Sequence, residues 1–159
     1  MYSAELQEKS MKDFARARRT ASTRRLLGRL AARLRGVALC CASPACFEAA
    51  REGSGALPRG RERVETVEVA RIRGTVGRCR DFDRDFLPLS SALAKRWVSV
   101  DRAFHEGRTL PPVELYELGG DYFVVDGNHR VSVARVHGAA AVDAVVKRYA
   151  KAHAAACGC

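Results

Sequence analysis

No stretch of this 159-residue chain reaches the eighteen or more uninterrupted apolar residues that a helix needs to cross a bilayer. The nearest candidate, Leu26 to Ala42, is broken by Arg29, Arg33 and Arg35. A secretory leader is not expected either, since its apolar segment should come early, whereas the short run Gly36 to Ala42 comes late. These absences predict a cytoplasmic protein with no membrane partner. Paired C-x-x-C spacing is also missing. His153, Cys157 and Cys159 could supply part of a zinc site but have nothing to complete it, so no metal is expected. In the cytoplasm the six cysteines, Cys40, Cys41, Cys46, Cys79, Cys157 and Cys159, should be reduced thiols. No internal repeat is visible.

What is present suits one globular domain with appendages. The length lies close to the commonest domain size, and 47% hydrophobic with 29% charged residues is an ordinary soluble composition. The net charge of +10 is unevenly spread. Ten Lys and Arg face three acids between Met1 and Gly36, a local excess of +7, so the remainder carries only +3. Closely spaced guanidinium groups can neutralise nucleic-acid phosphates and release their counterions, which makes DNA a candidate partner of this arm. A solvated helix face would look the same.

Leu6, Phe14, Ala17, Ala21, Leu27, Leu30 and Leu34 recur at helical steps, and Thr20-Ala21-Ser22-Thr23 predicts a break into two helices, with the leucines facing a core or partner. From Cys40 to Glu62 small residues, glycines and mixed charge show no period and predict a linker. Val64 to Ile72 suggests the first strand, and Ser90 to Gly107 a helix with Trp97 in the core. Val113 to Leu118, the turn Gly119-Gly120 and Tyr122 to Val125 form a hairpin. His129 to His137 is a short helix ended by Gly138, and Ala141 to Val146 a buried strand. The expected organisation is a basic helical arm (1–39), a linker (40–62), a small mixed-sheet α+β domain (63–148) and a tail (149–159).

The turn Asp126-Gly127-Asn128-His129-Arg130 carries the chemistry. A strand that runs directly into a helix gathers unpaired backbone amides and the positive end of the helix dipole at one point, which attracts anions. Gly127 would let a ligand approach the backbone, and Arg130 could grip two phosphate oxygens. A purely structural alternative fits the same residues: Asp126 or Asn128 caps the helix and Arg130 pairs with a carboxylate. Upstream, Gly74, Gly77 and Arg78 form a second candidate ligand loop. There Asp81, Asp83 and Asp85 would share a face if extended, although a solvated charge run anchored by Phe82 and Phe86 is the plainer reading.

Leu110 to Tyr116 together with Tyr122 to Arg135, centred on the DGNHR turn, resembles the ParB/sulfiredoxin superfamily over about Val64 to Val146. The resemblance implies a small α+β fold and nucleotide phosphates bound by Asp126, Gly127, Asn128, His129 and Arg130, with Arg78 assisting. Sulfiredoxins carry a catalytic cysteine just before the histidine, where this chain has Asn128, so reductase activity is not expected. Chromosome-partition ParB proteins have Gly-Glu-Arg-Arg at the turn and continue into a helix-turn-helix domain, which is not expected after the alanine-rich tail here. Free serine kinases have Asp-Gly-His-His-Arg, differing only at Asn128. The implied function is a nucleotide-binding regulatory or DNA-associated module with a nucleoside triphosphate or diphosphate as ligand. Alternatives are a small-molecule kinase needing Mg²⁺, with Asp81, Asp83 or Asp85 as base or metal ligand, and a scaffold that binds only protein.

Overall fold

The computed structural model describes residues 2–35 and 44–151. Helix α1 (Tyr2–Arg35) is followed by strand β1 (Ala45–Cys46), helix α2 (Phe47–Ser54), and strands β2 (Ala56–Glu68) and β3 (Ile72–Thr75). Helix α3 (Ala94–His105) leads to the hairpin β4 (Val113–Leu118) and β5 (Asp121–Asp126), then to helix α4 (Asn128–Val136) and strand β6 (Ala141–Lys151). The strands make one mixed sheet in the order β1-β3-β5-β4-β6-β2. β2 and β6 pair antiparallel, as do β4 and β5, while β4 with β6, β3 with β5 and β1 with β3 are parallel. This is the small mixed-sheet α+β class expected from the sequence.

Period-two alternation divides the sheet's side chains between two layers. Val113 and Leu115 of β4, Tyr122 and Val124 of β5, and Ala144 and Val146 of β6 join Val131 of α4 in the main core. The alternate residues Tyr116, Phe123 and Tyr149 meet Phe47 of α2 on the opposite face. Gly119 and Gly120, with φ of 63° and 92°, close the β4–β5 hairpin in the backbone region that two-residue turns require. A further cluster joins α1, α3 and α4 through Phe14, Ala17, Ala21, Trp97, Val98 and Val133. Trp97 is fully buried, as expected, and its indole donates a 2.8 Å hydrogen bond to the Ser132 hydroxyl.

Several expectations need correction. Residues 44–62 are not a linker: they build β1, α2 and half of β2. The tail does not begin at 149, because β6 continues to Lys151 and Tyr149 is buried. The helix does not break at Thr20, whose hydroxyl bonds back to the Arg16 carbonyl within a continuous α1. What changes there is the apolar face. Phe14, Ala17 and Ala21 pack inward, whereas Leu26, Leu27, Leu30 and Leu34 lie on nearly the opposite side and are exposed. Two cysteines are not free thiols either, since Cys46 and Cys79 are disulfide-bonded with Cα atoms 5.9 Å apart. The topology makes the pairing: β1 lies parallel beside β3, and Cys79 follows β3 in the next loop. Cys40, Cys41, His153, Cys157 and Cys159 lie outside the described residues.

The disulfide ties β1 to a loop 33 residues further on. On chain entropy alone, replacing both cysteines by serine should cost roughly 3–4 kcal/mol. Urea unfolding of Cys46→Ser/Cys79→Ser beside the oxidised parent measures this, and a parent indifferent to reductant would refute the pairing.

Candidate functional site

β5 ends at Asp126, and Gly127 turns the chain into α4 with φ of 102° and ψ of 21°. A side chain here would be strained by that backbone conformation, and its Cβ would lie 2.6 Å from Val113 Cγ1. The glycine therefore serves packing of the turn against β4. No side chain caps the helix, and its first turn holds no acid. The dipole and leading amides of α4 thus keep their affinity for an anion.

Arg130 departs from its expected role. Its guanidinium is turned inward, donating to the carbonyls of Pro111 (2.6 Å) and Pro112 (2.7 Å) and pairing with Asp126 at 2.5 Å. Asp126 and Arg130 therefore form a structural clamp between the turn and the start of β4. Asn128 is a second strut. It is buried, and its Oδ1 faces the Thr75 hydroxyl at 2.8 Å, which also lies 3.1 Å from the Val124 carbonyl. Of the structural alternative, the pairing of Arg130 with a carboxylate is found, whereas neither Asp126 nor Asn128 caps the helix.

His129 packs edge-on against the ring of Phe82, at 5.5 Å between centroids. Its Nδ1 is buried and finds no hydrogen-bond partner among the described residues. Burial, reinforced by the positive charges of Arg96 and Arg78, pushes the imidazole down to about 4, so the ring is neutral at physiological pH. The charges of Arg96 and Arg78 are thus felt at the His129 ring, as are the opposing charges of Asp81 and Asp126. Arg78 was expected from the sequence. Arg96, on the exposed side of α3, was not, since it lies about thirty residues upstream in a segment whose only visible signal was helical period.

The acidic loop is not extended, and its carboxylates do not share a face. Phe82 bridges to Pro88, and the amides of Asp83 and Phe86 close a tight turn within the loop. Asp83 is buried and its Oδ1 accepts from the amides of Asp85 (2.9 Å) and Leu87 (2.8 Å). Burial pushes its carboxyl up despite those bonds. Asp85 pairs with Arg24 of α1 at 2.8 Å, and Asp81 with Arg78 at 3.1 Å. All three hold the loop and its neighbours in shape, Asp83 from within and Asp81 and Asp85 through part-exposed ion pairs.

No protein-family model matches the chain, and no curated protein matches it at a significant level. Among solved structures it is similar to sulfiredoxin from Arabidopsis thaliana, with 15% identity and a TM-score of 0.39, over 54% of this chain and 85% of that one. At this identity and TM-score the likeness carries no argument about family or activity. Among the described residues no helix is long and apolar enough to cross a membrane.

Gly127→Ala should destabilise the protein by about 2–3 kcal/mol through backbone strain and the Val113 clash, read by urea unfolding. The His129 ring sets a pH dependence. Its folded pKa lies below the unfolded value near 6.5, so the unfolded chain takes up the proton first. Stability should be constant above pH 6.5 and fall as the pH drops from there toward 4. In His129→Gln that loss should be visibly smaller, and an unchanged profile would show that the ring titrates normally.

Proposed function

We propose that this protein is a nucleotide-phosphate-binding regulatory module whose ligand sits at the start of α4, without chemical turnover. The observation that carries the reading is the N-terminus of α4, with no side-chain cap and no acid in its first turn, where the charges of Arg96 and Arg78 are felt at the neutral His129 and are opposed by those of Asp81 and Asp126. Backbone amides and the helix dipole supply directed donors, and the two arginines, both exposed enough to reorient, supply charge and bidentate geometry. For Arg78 this means exchanging Asp81 for a phosphate oxygen. The ligand class is a nucleoside diphosphate or triphosphate, with the base left to the rim of the site. Binding without transfer rests on Asp83, which is buried and held by backbone amides, and on Asp85, which is paired with Arg24.

Association with DNA through α1 belongs to the same proposal. Between Arg16 and Arg35 the helix carries eight arginines and no acid, and its second half stands exposed. Such a surface neutralises backbone phosphates without reading sequence. Removing the whole helix would also strip Phe14, Ala17 and Ala21 from the core, so the arginines are better neutralised in place.

Isothermal titration of the full chain with ATP, ADP, CTP and GTP, with and without Mg²⁺, tests the phosphate site. Binding is expected, and Arg78→Ala or Arg96→Ala should each weaken it roughly tenfold, the scale of one charge-assisted hydrogen bond. No heat with any nucleotide, or heat unchanged in both variants, would sink the reading. For DNA, the fourfold variant Arg25→Gln, Arg29→Gln, Arg33→Gln, Arg35→Gln should abolish most of the salt dependence of duplex binding. Every phosphate that is no longer neutralised takes about 0.9 off the slope of log K against log salt.

A further inference from the structure

Away from the turn, Asp13 of α1, Asp101 and His105 of α3, and His137 just beyond α4 converge, one ligand atom from each lying within 4.8 Å of all the others. Asp101 is fully buried. His137 Nε2 lies 2.7 Å from Asp101 Oδ1, while His105 Nε2 lies 3.2 Å from Asp13 Oδ2 and 3.4 Å from Asp101 Oδ2. The hydrogen inventory does not balance. Each imidazole can offer a single Nε2–H, and the one on His105 faces two carboxylates. Asp101 Oδ2 is accordingly left without a hydrogen-bond partner, deep in the protein. An unsatisfied buried carboxylate oxygen is costly, and two carboxylates meeting with no arginine or lysine between them add repulsion.

We propose that these four side chains form a binding site for a divalent transition-metal ion of the zinc class. Two imidazole nitrogens and two carboxylate oxygens are a donor set that such ions accept, and the two aspartates balance the ion's charge. In a tetrahedral site with bonds near 2.1 Å the donors stand roughly 3.4 Å apart, so the cluster needs only a modest adjustment to close. Each ring carries its proton on Nδ1 and turns the Nε2 lone pair to the ion. The exposed Lys9, whose Nζ lies 3.5 Å from His105 Nδ1, swings away into solvent when that nitrogen becomes a donor. The ring of Phe104 stacks on His137 at 4.5 Å and holds its plane. On α3 the aspartate and histidine stand four residues apart, one turn of helix, so both reach the same point. The ion joins α1 to the domain at a place where packing otherwise rests on Phe14, Ala17 and Ala21.

The test is a titration of the chelator-treated full chain with Co²⁺, followed by displacement with Zn²⁺. One equivalent should give visible d–d bands of tetrahedral strength without the near-ultraviolet charge-transfer band of a thiolate, and Zn²⁺ should raise the thermal midpoint. Both signals should vanish in His105→Gln/His137→Gln. Asp13→Asn, which keeps the size of the side chain at this partly buried position, should weaken Co²⁺ binding at least about tenfold, since loss even of an outer-shell partner costs that much. Absence of d–d bands in the parent would overturn the proposal. So would bands that persist in the histidine double variant or come with thiolate charge transfer, which would place the ion on the cysteines.

Discussion

The guanidinium of Arg130 is the constraint on which the rest of the turn depends. By donating to two successive proline carbonyls and pairing with Asp126, it joins the end of β5, the first turn of α4 and the approach to β4 at one point. Those carbonyls belong to residues that cannot extend a helix and that set the chain into an extended path. With them held, Val113 fills the space a side chain at position 127 would need, and glycine is left as the residue that fits. The start of α4 is therefore aimed by contacts beneath it.

The parts of the fold legible in the sequence were those whose side chains are buried on one face. The β4–β5 hairpin, α4, α3 and the first half of β6 all announce themselves by period and by the glycines that end them. Residues 44–62 did not, for a physical reason. Most of β2 lies at the sheet edge with both faces exposed, so no alternation is imposed on it, and Pro58 and Gly60 read as loop residues. In α1 the change of apolar face at Thr20 to Thr23 imitated a break, because a shift in phase and a gap in a periodic pattern look alike.

At the candidate site, a five-residue pattern located the helix start but could not show which way its side chains turn. Arg130 and Asp126 satisfy each other, Asn128 reaches back to Thr75, and only His129 remains with a vacant nitrogen. Arg96 and the four residues of the aspartate–histidine cluster come from segments far apart in sequence, and proximity of that kind is created by folding. The spacing of Asp101 and His105 was present in the sequence, but such pairs on helices are common and this one gains meaning only from Asp13 and His137.

The two borders of the sheet have a consequence for how the molecule meets its own kind. On one side β1 offers only two residues, already paired with Gly74 and Thr75. On the other, β2 interrupts its register between Arg59 and Arg63 and presents arginine and glutamate along its length. A neighbouring chain seeking to continue the ladder would meet a stub at one end and a kinked, charged rim at the other. Continuation of the sheet from one chain to the next is thereby discouraged at both margins.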